Sequence, residues 1–218
     1  MRVRGDNQAV TDDDLTRRRR TPSQERSRGT VDALCAAASA IIEEDGLASL
    51  TTNAVAKRAG VGITAVYAYF PDKWAIVHEL FKRFERLRAE ALVGLFEDFD
   101  TVEDWAPVID ETWDRMARFR VEVPAGVALR KALYSEPRLA ALEFEGSVAS
   151  AELFSRAMLA RRPGLDPDQA YRAAWAVALI AGVLIDDAVR EGEVDWEQLA
   201  EGKRVIKLYV ASFLDREP

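Results

Sequence analysis

Apolar residues recur at helical spacing along most of this chain. Val31, Leu34, Cys35, Ala38, Ile41 and Ile42 stand at i, i+3, i+4, i+7, i+10 and i+11, one face of a helix. Gly46 is the expected stop. Thr51 offers an N-cap hydroxyl to a short helix running to about Ala59. Gly60-Val61-Gly62 reads as a tight turn, and a second short helix covers about Ile63 to Tyr69. Phe70-Pro71-Asp72 resets the chain, with Pro71 suited to a helix start. A long helix then runs from Lys73 to about Phe96, and further helices are predicted at about 101–121, 125–135, 137–161, 167–191 and 195–215. No run alternates apolar and polar residues as a sheet requires. The pattern predicts an all-α fold of about nine helices.

Composition narrows the chemistry. At 218 residues and 49% apolar, the chain is long enough to bury a core without covalent staples. One cysteine, Cys35, forbids an intrachain disulfide, and one histidine, His78, excludes multi-histidine metal centres. No metal or cofactor is called for. No apolar leader precedes Val31. The longest apolar run, Ala173 to Ile185, is thirteen residues, short for a bilayer. The expectation is a cytoplasmic protein with no membrane partner.

The net charge of −7 hides a gradient. Residues 17–88 carry 13 basic and 8 acidic side chains, whereas residues 89–218 carry 15 and 25. A basic front on an acidic body suits a polyanion approached one end first.

Residues 51–70 are the most informative stretch. Two short helices meeting at a glycine-containing turn have helix-turn-helix spacing. Ala56 is small where the helices approach, and Val55, Val61 and Val66 supply the crossing contacts. Gly60 sits where the turn needs a positive φ. The second helix would lie in the major groove of DNA. The expected organisation is an arginine-rich arm at 1–21, a DNA-binding domain at 22–72 and a helical body at 73–218.

The run from Leu50 to Lys73, with Thr51-Thr52-Asn53-Ala54-Val55-Ala56 before the turn and Thr64-Ala65-Val66-Tyr67-Ala68-Tyr69-Phe70-Pro71-Asp72-Lys73 after it, closely resembles the DNA-binding signature of the tetracycline-repressor family. The resemblance is specific over about residues 25–80 and implies a three-helix DNA-binding domain followed by a helical effector-binding and dimerisation domain. It implies that Thr51 meets a phosphate, that Tyr69 donates its hydroxyl to another, and that Tyr67 reaches a base or the backbone. Lys73 matches the family's phosphate-binding lysine. Thr64, Ala65 and Asn53 would read bases, with Ile63 against a thymine methyl. The chain departs from the pattern at Ala54, Gly62, Ile63 and Ala68, so the operator sequence does not follow from the resemblance. The run Arg17–Arg20, with Arg26 and Arg28, suits a minor groove or a solvated tail.

The body implies two further partners. A helix apolar on every side at Ala173–Ile185 needs covering on every side. Ala178, Ala181 and Gly182, with Ile206, Tyr209 and Phe213 of the last helix, are expected at a homodimer interface; the alternative is a monomer's central helix. The family encloses an effector cavity in this region, and Trp113, Phe144 and Trp175 are candidate lining residues for a small apolar or aromatic ligand. Cys35 reads as a small buried hydrophobe, and His78 as a partly exposed helix residue or a pH-sensitive group. Asp186-Asp187 suits a cation, solvent or an arginine partner. The expected function is a ligand-responsive repressor that binds a palindromic double-stranded operator. The rivals are an all-α enzyme using the aromatic cavity and a DNA-binding dimer without an effector.

Overall fold

The structure, a computed structural model, describes residues 25–133 and 139–215. The arm at 1–21 and its arginine run lie outside the described residues. Nine α-helices occur among those described: α1 (Glu25–Asp45), α2 (Thr52–Arg58), α3 (Ile63–Tyr69), α4 (Lys73–Leu92), α5 (Ala106–Glu122), α6 (Gly126–Leu133), α7 (Ala140–Arg161), α8 (Pro167–Ala188) and α9 (Trp196–Leu214). The chain divides into two compact units between Leu80 and Phe81, inside α4.

In the first unit the predicted stripe of α1 is the core: Val31, Leu34, Ala38, Ile41 and Ile42 are buried together with Cys35. α1 packs on α2, and α2 on α3. Leu50, Val55, Val66, Phe70, Ile76 and Val77 complete this core and are fully buried. Gly46 ends α1 at φ +78°, which a side chain would strain. α4 begins one residue after Asp72, whose Oδ1 accepts from the Ala75 amide at 2.9 Å. The start signal is therefore the aspartate cap, with Pro71 just outside the helix.

The second unit is built on α8, which packs most extensively against α7 and also against α9 and α5. α5 in turn meets α6 and α9. Gly126 opens α6 because a Cβ there would come within 2.5 Å of the Arg120 carbonyl oxygen. Gly202 lets α9 approach α5, where a Cβ would lie 2.6 Å from the Trp113 ring.

Three boundaries differ from the periodicity. α4 stops at Leu92 rather than Phe96, because Gly94 turns the chain at φ +81°. The next helix starts at Ala106, not 101, since residues 93–101 form successive turns and 102–105 are irregular. Phe96 and Phe99 anchor these turns on Phe154, and Arg161 donates to the carbonyls of Phe99, Val102 and Glu103 at 2.7, 2.8 and 3.1 Å. Third, α8 ends at Ala188 in a two-residue hairpin, Val189–Arg190 pairing with Glu193–Val194. Glu191 and Gly192 turn it with positive φ, a pairing too short to leave an alternating signature.

α8 is 22 residues long, so the apolar run belongs to a helix that is long and apolar enough, by length and composition, to cross a membrane. One edge of it is packed and one is open: Ala173, Ala174, Val177 and Ile185 are buried, while Leu179, Ile180 and Val183 are exposed.

Candidate nucleic-acid interface and ligand cavity

Thr51 adopts extended backbone, and its Oγ1 accepts from the Ala54 amide at 3.0 Å, the cap expected from the sequence. Gly60 takes φ +68°, and the Val61 amide donates to the Ala56 carbonyl at 3.0 Å, closing the turn. Gly62 caps α3 with no side-chain bond, which leaves the first amides of α3 without a hydroxyl partner. The Thr51→Ala variant is expected to unfold about 1 kcal/mol more easily in urea, the usual worth of such a cap. No change in the midpoint would show that the cap is redundant.

The helix pair sorts its side chains by face. Val66, Phe70 and Tyr69 turn inward, and Thr64 and Tyr67 turn outward. Tyr67 is 41% exposed, and its hydroxyl lies 3.3 Å from Thr52 Oγ1, a bond between α2 and α3. Asn53 and Thr51 are exposed beside it, while Ile63 and Ala65 are half-buried. Tyr69 is only 8% exposed, because it falls on the same side of α3 as the buried Val66. Its ring is core, and Tyr67 is the aromatic group presented to solvent. Thr52 was not anticipated; only its contact with Tyr67 across the turn marks it out.

Cations flank this face. Lys73 Nζ sits 5.0 Å from the ring centre of its neighbour Trp74. Lys57 and Arg28 are exposed. Arg58 is engaged by Glu44 through two charge-assisted hydrogen bonds, one at 2.5 Å. Those bonds hold Glu44 below the usual carboxylate range and push Arg58 up.

A cavity of about 90 Å³ lies within the second unit. Its wall is largely apolar, with Leu92, Ile109, Trp113, Met116, Val177 and Ile185 among the lining side chains. Ala178, Ala181 and Gly182 also line it. These small residues therefore face the cavity. Of the three expected lining residues, Trp113 is in this wall. Phe144 and Trp175 stack edge to face at 5.4 Å in an adjoining outer recess of about 320 Å³.

The polar part of the wall was not legible beforehand. Arg120 and Arg130 are buried and share Asp186. Arg120 Nε donates to Oδ1 at 2.5 Å, and Arg130 Nη2 donates to Oδ2 at 2.7 Å. Arg130 Nη1 also donates to Glu143 at 2.5 Å. Burial opposes ionisation of Asp186, but the two guanidiniums outweigh it and hold the carboxyl below its usual value. Burial likewise pulls Arg120 down, while the bonds to Asp186 and Glu143 carry Arg130 upward. Of the acidic pair at 186–187, then, Asp186 is an arginine partner in the interior, and Asp187 pairs with Arg190 at the surface. Nearby, Arg88 binds Glu85 Oε2 at 2.6 Å and donates to Ser150 at 3.1 Å. Burial raises Glu85, whose Oε1 is buried without a hydrogen-bond partner. Among the described residues no His, Cys, Asp or Glu group could hold a metal ion.

The residues expected at a dimer interface divide. Ile206 is a correction: it is fully buried within its own chain, on the packed side of α9. The exposed large apolar groups of that helix are Trp196, Val205 and Leu208. Tyr209 and Phe213 are half-buried and stack on each other at 5.1 Å.

Residues 34–80 match the family of bacterial regulatory proteins of the tetR type, and residues 103–214 match the tetracyclin repressor-like C-terminal domain. Similar solved structures include a TetR-family transcriptional regulator from Streptomyces coelicolor, 24% identical, with a TM-score of 0.63 over 87% of this chain and 99% of that one. Another is a TetR-family regulator from Mesorhizobium loti, 16% identical, with a TM-score of 0.67 over 87% and 98%. A TetR variant from Acinetobacter baumannii in complex with minocycline is 23% identical, with a TM-score of 0.53 over 83% and 93%. No curated protein matches the chain significantly.

Proposed function

The chain belongs to the tetracycline-repressor family of DNA-binding transcriptional regulators, and we propose that it is a dimeric repressor whose grip on a near-palindromic operator is released by a small molecule. The observation that carries this reading is the outward face of α3. Thr64 and Tyr67 project from a helix whose other side is locked by Val66 and Phe70, next to a capped α2. A rigid helix with exposed hydrogen-bonding groups is what major-groove readout needs. Lys73 and Lys57 supply phosphate charge, and the net acidic charge of residues 89–218 disfavours their approach to DNA.

Dimerisation is supported by the open edge of the second unit. Leu179, Ile180 and Val183 on α8 and Val205 and Leu208 on α9 are exposed, and the two helices pack on each other. A second copy covers this apolar surface in a twofold arrangement. The operator is then two half-sites about 34–36 Å apart, or a multiple of that. The effector occupies the cavity beside Trp113 and binds the released state better than the operator-bound one, as any such switch requires. α4 carries Lys73 near one end and the cavity-lining Arg88 and Leu92 near the other, so a shift of this helix would couple ligand to operator.

Selection of bound genomic fragments tests the reading. The Tyr67→Ala variant is expected to bind a selected fragment about tenfold more weakly, the worth of one good DNA contact, with its helical circular dichroism unchanged. The Lys73→Ala variant is expected to flatten the log–log salt dependence by about 0.9 per half-site. Unchanged affinity in Tyr67→Ala and an unchanged slope in Lys73→Ala would remove this face from the interface.

A further inference from the structure

Granting that the cavity is the effector site, we propose that its ligand is a short aliphatic carboxylate that takes the place of Glu143 on Arg130. The cluster Arg120–Asp186–Arg130 holds two guanidiniums against one carboxylate, all with side chains no more than 10% exposed. It therefore carries one excess positive charge in the interior, where an uncompensated ion costs several kcal/mol. Glu143 supplies the balance through its 2.5 Å bond to Arg130 Nη1. The nearby pair of Arg88 and Glu85 balances itself.

The partners in the Arg130–Glu143 bond are unequally anchored. Arg130 is 7% exposed and is held by three bonds to Asp186, at 2.7, 3.0 and 3.1 Å. Glu143 is 26% exposed, and that bond is its tie to the cluster. Glu143 can move to water at small solvation cost; Arg130 cannot. The anion is the exchangeable member.

The pair lies where the two spaces meet. Arg130, Glu143, Ser147 and Gly182 line both the inner cavity and the outer recess, so the ion pair stands between the two spaces. Gly182 contributes no side chain there; a Cβ would already be 3.6 Å from Arg130 Nη2. An incoming carboxylate meets a planar guanidinium of matching geometry. Its chain then reaches Leu92, Ile109, Met116 and Val177 in the inner wall. The inner space of about 90 Å³ is smaller than the roughly 150 Å³ that admits benzene. A short chain of a few carbons fits beside the guanidinium within that space. A cationic ligand would face two guanidiniums, and a neutral one would leave the ion pair closed.

Isothermal titration calorimetry of the full chain with pentanoate, pentanamide and pentylamine at matched ionic strength tests this. Pentanoate is expected to bind about tenfold tighter than pentanamide, the difference between a charge-assisted and a neutral hydrogen bond, and pentylamine not to saturate. The Glu143→Gln variant removes the competing anion while keeping Arg130, and is expected to tighten pentanoate about tenfold with pentanamide unchanged. Absence of saturable pentanoate binding, parity of acid and amide, preference for the amine, or a Glu143→Gln variant that does not tighten the acid each overturns the proposal. Fragment selection without ligand runs beside it. Selected DNA with failed pentanoate binding removes the carboxylate and leaves the regulator; acid binding with no selected DNA does the reverse.

Discussion

The Asp186→Ala variant is expected to lose about 3–5 kcal/mol of stability, the cost of stripping the counterion from buried charge. Arg120 and Arg130 are 4% and 5% exposed, so neither can recover its hydration without opening the packing of α5, α6 and α8. Glu143 alone would then face two guanidiniums from a quarter-exposed position. For a chain of this length each kcal/mol moves the melting temperature by about 2–4 °C, so thermal unfolding should shift by roughly 6–20 °C. The neighbouring Asp187→Ala variant is the control. Asp187 is half exposed and paired only with surface groups, Arg190 and Gln198; its loss should fall within about 0.5 kcal/mol. Equal melting temperatures for the two variants would show that the cluster contributes little. The acid limb follows with a definite sign. The folded protein holds Asp186 below the usual carboxylate value, so its contribution is present above the unfolded-state pKa and is lost as pH falls through the lower folded-state pKa. The Asp186→Ala variant should lack that part of the acid transition.

The second large effect is expected at the open edge of α8 and α9. Leu208 is 69% exposed in the single chain, so Leu208→Glu should barely change the stability of a protomer. At the centre of a twofold interface the same change places two like charges in an apolar contact and is expected to yield monomers by light scattering after size exclusion. Operator affinity then falls about 10²–10⁴-fold, because the second recognition helix is no longer delivered at high effective concentration. Val183→Glu should behave alike. A Leu208→Glu protein that remains dimeric would move the interface elsewhere.

The helix-turn-helix was legible because its determinants are local. A cap three residues from its amide, a glycine at positive φ and apolar residues at i, i+3 and i+4 act within about 20 residues. The buried cluster was not, because Arg120 and Arg130 lie 66 and 56 residues from Asp186. No periodicity joins them, and Asp186-Asp187 alone reads equally as solvated. Ile206 and Leu208 show a subtler limit. When a helix is apolar on both sides, the stripe does not say which side meets its own core; burial places Ile206 in that core and leaves Leu208 exposed. Tyr69 shows a related limit, since the resemblance gives its hydroxyl a role but does not say that its ring lies largely in the core.

The stacking of Lys73 on Trp74 makes the first unit its own optical reporter. Trp74 is the one tryptophan in residues 1–80, and the ammonium lies 5.0 Å from its ring centre. In a variant keeping Trp74 as its sole tryptophan, a phosphate drawing Lys73 away, as proposed, is expected to shift the indole emission, with no dye attached.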